Sequence, residues 1–213
     1  ELKAGNTTIS EPQLTNLLSK NTNNIKFVRS CSELKNADLI YIASDTPTDE
    51  TNSSDLSLVN NIIKNVINYL EKDTVLVILS QVPPGFTKSI DVPGCRLFYQ
   101  VETLVLGEAV NRFLSPERFI IGCANPSKEI HPRIAKVLKK FNCPVLTMSY
   151  ESAEIAKISI NSILTSQVST TNMLSALCES IGADWSEIVP ALRLDKRIGK
   201  KAYLKPGLGL SGG

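Results

Sequence analysis

The sequence predicts an α/β fold with a mainly parallel sheet, followed by one long helix, and three observations carry that expectation. Short continuous apolar runs such as ADLIYIA (37–43) and TVLVILS (74–80) have the composition of strands buried on both faces. Segments with helical apolar periodicity separate such runs, so strand and helix alternate. Finally, Glu151 to Ile181 is a stretch of 31 residues without proline or glycine, with apolar residues mostly three and four apart. At 1.5 Å per residue this helix runs roughly 45 Å, longer than a small domain is wide, so it is expected to leave one domain, carry the next and serve as a dimer element.

Taken in order, Ser10-Glu11-Pro12-Gln13 has the form of a capping box, with the serine as cap and Pro12 in the first turn, and predicts a helix to about Lys20. IKFV (25–28) reads as a short strand, Ser32 to Asn36 as a brief helical turn, and ADLIYIA as the next strand. Asp55 is placed to cap a helix whose apolar face holds Leu56, Val59, Ile62, Ile63, Val66, Ile67 and Leu70. TVLVILS follows and ends in the turn QVPPGFT. Further strands are expected at 96–100, 118–123 and 144–148, with a helix over 131–141 between the last two. After the long helix, Gly182 supplies a left-handed turn, and Asp184 caps a short helix that Pro190 should kink or cut.

With 213 residues, 42% hydrophobic and 21% charged, the composition is that of an ordinary globular chain able to bury a real core. A net charge of +2 with scattered positives gives no indication of nucleic acid as a partner. No run approaches the roughly 20 apolar residues of a membrane span, and no signal peptide opens the chain, so no membrane partner is expected and the location read from the sequence is cytoplasmic. Five widely spaced cysteines form no ligand set and read as reduced thiols, and no metal site is expected. The single histidine, His131, precedes Pro132 at a helix start and reads as a capping or surface residue. The chain begins at Glu1 without a methionine and is expected to be less than a complete polypeptide.

In open sheets of this class ligands lie beyond the carboxyl ends of the strands. The loops there are 44–50, with Thr46 and Thr48 around Pro47; 81–87, preceded by Ser80 and opening on Gln81; and 101–107, with Glu102 directly after a strand. On the long helix a polar line interrupts the apolar pattern: Glu154, Lys157, Asn161, Thr165 and Asn172. Lys157 and Asn161 are one i,i+4 step apart and project together, either as a solvated stripe or as a pair able to hold and deprotonate a hydroxyl. Gly207, Gly209 and Gly212 satisfy GxGxxG, but they follow Lys205-Pro206 rather than a strand, so this is not taken as a dinucleotide fingerprint.

Together ADLIYIASDTPTDE, VLVILSQVPPGFT, YQVETLVLGEAVNRFLSPERFIIG, AEIAKISINSI, LCESIGAD and LDKRIGKKAYLKPG make the chain resemble the UDP-glucose/GDP-mannose dehydrogenases, which oxidise a nucleotide sugar twice with NAD. The resemblance covers essentially the whole chain, in the family's order. It implies a partial Rossmann-like NAD-binding domain over 1–149, and a central helix with a helical dimerisation and substrate region over 150–213. The family's glycine fingerprint is expected before Glu1 and its UDP domain after Gly213. Residue by residue, Thr46, Pro47 and Thr48 match an NAD-contacting loop, and Ser80, Gln81 and Val82 a second one in which Gln81 replaces the usual threonine. Glu102 matches the glutamate of the aldehyde and thioester steps, with Gln100 and Val101 replacing the Asn-Pro before it. Lys157 and Asn161 match the pair that binds the sugar and stabilises its oxyanion. Arg197 matches the arginine that reaches the partner subunit's substrate. Lys205 and Gly209 lie in the segment along the nucleotide sugar, and the family's nucleophilic cysteine falls one position beyond Gly213.

The expected function is therefore NAD-dependent oxidation of a nucleotide sugar, UDP-glucose or similar, at C6 to the uronic acid, by a homodimer. The alternatives are a UDP-N-acetyl-hexosamine or GDP-mannose dehydrogenase of the same family, and a non-catalytic nucleotide-sugar binder or dimerising remnant.

Overall fold

In the computed structural model, which describes residues 9–48, 50, 53–94 and 96–208, the apolar runs form five strands: β1 (Leu39–Ile42), β2 (Val75–Ile78), β3 (Leu97–Gln100), β4 (Phe119–Gly122) and β5 (Val145–Met148). The helices are α1 (Leu14–Asn21), α2 (Ser57–Ile67), α3 (Ala109–Leu114), α4 (Pro132–Leu138), α5 (Tyr150–Ile181) and α6 (Trp185–Leu194). The chain divides into two compact units, Glu1–Lys157 and Ile158–Gly213.

The first unit is built on one sheet in the order β1-β2-β3-β4-β5. β1, β2 and β3 are mutually parallel, β4 runs antiparallel to β3, and β5 is parallel to β4. Every residue of β2, β3 and β4 is buried, which is why VLVI, LFYQ and FIIG carry no polar alternation. Val75, Val77, Phe98, Phe119 and Ile121 form a cluster with Ile134 and Leu138 of α4, and Phe141 closes it edge-on to Phe119 at a centroid distance of 5.3 Å. Burying each such aliphatic side chain contributes roughly 1.5–3 kcal/mol. α2 buries Val59, Ile63 and Val66, spaced along one helical face.

The local caps behave as the sequence predicts. Asp55 Oδ1 accepts the Ser57 amide at 2.9 Å, His131 Nδ1 accepts the Arg133 amide at 3.3 Å ahead of Pro132, and Asp184 Oδ1 accepts the Ser186 amide at 2.8 Å. Gly182 (φ +76°) ends α5, and the Ala183 amide bonds back to the Cys178 carbonyl at 2.9 Å, a Schellman closure.

Three local expectations are corrected. Ser10 does not cap α1: Gln13 precedes the helix in left-handed backbone (φ 67°) without a capping side chain. Glu11 instead accepts the amides of Gly107 at 2.7 Å and Val110 at 3.3 Å, placing its charge at the start of α3. IKFV forms no strand, because no described residue pairs with it, and Ile25 and Val28 remain exposed. α6 is not cut at Pro190 but runs through it to Leu194; the proline forgoes the bond to the Ser186 carbonyl, about one turn inside the helix start.

α5 begins directly on the sheet. A Cβ on Gly122 would lie 2.9 Å from the Ala153 Cβ and 3.2 Å from the Tyr150 Cα, so only glycine in β4 permits this approach. Tyr150 Oη donates to the Leu97 carbonyl at 2.8 Å, and Tyr150, Ala153 and Glu154 are all buried.

Burial, with the Glu154 charge nearby, pushes the Tyr99 phenol up to about 12. A phenol whose folded value lies above its ordinary value near 10 contributes stability that is fully present below pH 10 and is lost as pH rises through 12. Urea titrations should therefore show unfolding free energy falling by roughly 2–3 kcal/mol between about pH 10 and 12 on account of this residue, and Tyr99→Phe should remove that part of the fall. An unchanged alkaline profile in Tyr99→Phe would contradict the assignment.

Candidate functional site

Because β1, β2 and β3 are parallel, their carboxyl ends meet at one edge of the sheet, and the loops leaving β1 and β2 are tied together there. The amides of Leu79 and Ser80 both donate to the Ile42 carbonyl, at 2.8 and 3.1 Å. Ser80 Oγ donates to the Ser44 carbonyl at 2.7 Å, and Thr46 Oγ1 to the Gln81 carbonyl at 2.7 Å. The Asp55 amide holds the Pro47 carbonyl at 2.8 Å, and Thr48 bridges to Ser54. The structure thus brings Thr46, Pro47, Thr48, Ser80 and Gln81 onto two adjoining loops. Val82 turns inward and is buried, whereas Gln81 is exposed.

The β2 loop continues into a reverse turn over Pro83, Pro84, Gly85 and Phe86, closed by the Phe86 amide to the Pro83 carbonyl at 3.1 Å. Gly85 at the third position has φ +91°, as a type II turn requires, with proline before it. Two of the turn's amides are met by one side chain. Glu154, with 0% exposure, accepts the Gly85 amide at 2.6 Å and the Thr87 amide at 2.9 Å. Each is a charge-assisted bond, the kind a buried carboxylate requires. Thr87 is itself buried, and its Oγ1 has no hydrogen-bond partner.

Glu102 follows β3, half-buried, and its carboxylate accepts the Leu104 amide, which holds the side chain over its own loop. Arg112 Nε braces the same loop through the Thr103 carbonyl at 3.1 Å. Gln100 and Val101 before it are buried, and Tyr41 Oη donates to Gln100 Oε1 at 3.5 Å. Lys157 is half-buried one turn beyond Glu154, and its ammonium has no hydrogen bond or ion pair to any described residue. In contrast, Lys88 pairs with Glu151 at 2.9 Å on the surface.

The second unit carries Asn161, half-buried on α5, and a returning segment that three α5 side chains hold. Gln167 Oε1 accepts the Tyr203 amide at 3.1 Å, Thr171 Oγ1 donates to the Tyr203 carbonyl at 2.8 Å, and Asn172 grips Gly207 through both its amide (2.9 Å) and its carbonyl (2.7 Å). Trp185 Nε1 adds a bond to the Leu204 carbonyl at 2.9 Å. Lys205 lies in this segment, exposed; Gly209 lies outside the described residues. Arg197 is exposed and forms a bidentate pair with Asp195 at 2.6 and 3.0 Å.

Sequence reasoning placed Glu154 on a polar line but did not see its partners, which stand 67 and 69 residues away and leave no local signal. Gln167 and Thr171 were missed for the same reason.

Two family models match the chain: residues 1–142 match the NAD binding domain, and residues 151–213 the central domain, of the UDP-glucose/GDP-mannose dehydrogenase family. The chain is 33% identical over 223 residues to UDP-glucose 6-dehydrogenase TuaD of Bacillus subtilis, covering 99% of this chain and 48% of that protein. The structure of a UDP-glucose dehydrogenase from Pyrobaculum islandicum superposes with a TM-score of 0.86 at 28% identity, over 99% of this chain and 52% of that one. A GDP-mannose dehydrogenase from Pseudomonas aeruginosa shares the fold, with a TM-score of 0.84 at 19% identity over 100% of this chain and 52% of that one. The chain spans about half the length of these relatives. With both family models matched in order along nearly all of its length, this chain belongs to the UDP-glucose/GDP-mannose dehydrogenase family.

Proposed function

We propose that the protein carrying this chain is an NAD-dependent nucleotide-sugar 6-dehydrogenase that oxidises UDP-glucose, or a closely related sugar, at C6 to the uronic acid. The observation that carries this reading is Lys157. Lys157 is half-buried, its ammonium has no partner among the described residues, and the residue sits one helical turn past the carboxylate bonded to the β2 turn. An unpaired cation has the chemistry to meet negative charge as it develops on a substrate oxygen.

The residues present fit the cofactor. Thr46 and Thr48 offer hydroxyl lone pairs and Gln81 an exposed side-chain amide on the edge where ribose and carboxamide groups are bound in this fold class, while buried Ser80 ties the β2 loop to the Ser44 carbonyl, with Pro47 and Val82 stiffening the two loops. Residues 1–149 act as part of the NAD-binding domain, and 150–213 as the central helix with the dimerisation and substrate region. Bound NAD supplies the acceptor for the hydride that leaves C6. Lys157 and Asn161 donate to the C6 oxygen and stabilise the alkoxide that forms as its proton passes to solvent water. Glu102 acts as base toward water in the second oxidation. Arg197, Lys205 and Gly209 hold the nucleotide sugar.

Assembly as a homodimer through residues 151–192 is part of the same reading. Within the second unit Ile163, Met173, Ile181 and Leu194 are exposed at 60%, 64%, 69% and 77%, a concentration of apolar surface that favours burial against a second copy. No helix among the described residues is long and apolar enough to cross a membrane, and the four described cysteines are free thiols, which fits a reducing, cytoplasmic setting.

Incubating the intact protein with NAD and a panel of UDP and GDP sugars should produce NADH with at least one of them; no NADH with any would support the non-catalytic reading instead. Lys157→Ala should lower kcat about 10²–10³-fold while KM for the sugar changes only about threefold or less, since the charge it meets exists mainly in the transition state. A near-wild-type kcat would return Lys157 to a solvated stripe. Light scattering at micromolar concentration should give twice the chain mass, and a strictly monomeric mass would rule out the dimer.

A further inference from the structure

We infer that Glu154 is a positioning residue: its buried carboxylate holds the cofactor-side turn of residues 81–87 in register with the helical turn that bears Lys157. The inference rests on the dehydrogenase reading above for what the two turns do, and on the first unit alone for the geometry.

Glu154 has no exposed surface, and its two oxygens are used on different amides of one turn, Gly85 at 2.6 Å and Thr87 at 2.9 Å. One oxygen per donor fixes the turn in orientation as well as distance. The Phe86 amide between them closes the turn on Pro83, so three consecutive amides are committed. On the loop side this turn is continuous with Gln81, whose carbonyl accepts the Thr46 hydroxyl, and with buried Val82. On the helix side Glu154 cannot shift, because Ala153 packs on Gly122 and Tyr150 is bonded to the Leu97 carbonyl. The carboxylate therefore connects the β1 and β2 loops to a segment locked on the sheet, with Lys157 three residues further along the same helix. A surface or merely space-filling glutamate would need neither the burial nor two amide partners.

A displacement of about 1 Å between reacting groups is enough to lower a rate about 10²-fold, so the residue that sets their spacing has kinetic consequences without touching substrate. Glu154→Gln is the direct probe. Its amide oxygen can accept one of the two N–H groups, but its NH2 then faces the other donor, and the turn loses one anchor.

The experiment compares intact wild-type protein and Glu154→Gln, both verified as folded by circular dichroism, in NAD titrations followed by fluorescence and in steady-state kinetics. The expected result is a Kd for NAD raised about tenfold or more, with kcat lowered about 10–100-fold and the sugar KM within about twofold. A purely structural glutamate would lower the melting temperature and leave the NAD Kd unmoved, and that outcome overturns the inference. Should Glu154→Gln fail to fold, Gly85→Ala perturbs the same turn from its other side, where φ +91° strains any side chain although space for one exists. An unchanged NAD Kd in that variant likewise overturns the inference. If wild-type protein turns over no sugar, the dehydrogenase reading fails, while the NAD titrations still decide the role of Glu154.

Discussion

Glu154 puts a carboxylate where water does not reach it, and the fold meets that charge with two backbone N–H groups from a single turn. A buried charge left unsatisfied is strongly destabilising, so the turn and the helix must form together. Much of the first unit follows from that requirement. Gly122 is needed so that α5 can lie close enough to the sheet, Gly85 so that the turn can present its amides, and the paired prolines so that the turn is stiff before it is met. The strand-end loops and the lysine-bearing helical turn thus belong to one rigid arrangement inside one unit.

What was legible in the sequence is what depends on near neighbours. VLVI, LFYQ and FIIG announce buried strands because each residue has to satisfy both faces of the sheet, and the 32 residues of α5 announce themselves by the absence of any breaker. Asp55, His131 and Asp184 cap as their spacing requires, each bonding an amide two residues on. What was not legible depends on distant partners. The expected box did not form at Ser10, and Glu11 beside it bonds amides 96 and 99 residues away, while IKFV stayed out of the sheet because strand composition cannot supply the strand it needs beside it. The candidate site divides in the same way. The loops of Thr46 and Gln81 and the helical position of Lys157 could be found from pattern alone, whereas the clamp that relates them could not.

Several residues matched by resemblance depart from the family's usual pattern. By resemblance Gln81 stands where a threonine is usual, and it keeps an exposed polar group at the β2 loop while its carbonyl, not its side chain, is bound by Thr46. Gln100 and Val101 replace Asn-Pro before Glu102, and both are buried, so the loop's entry is set by packing and by the Tyr41 hydroxyl instead of by a proline ring. In the second unit the segment around Lys205 is held by Gln167, Thr171, Asn172 and Trp185 through backbone atoms, and the Lys205 side chain is exposed.

The central claim is that the turn of α5 following Glu154 presents Lys157 to the oxygen being oxidised. A crystal structure of the intact protein with NAD and a nucleotide sugar tests it most directly. The account predicts the Lys157 ammonium within about 3 Å of the C6 oxygen, with Glu154 still bonded to the Gly85 and Thr87 amides. A complex in which Lys157 faces solvent while another residue meets that oxygen would contradict it.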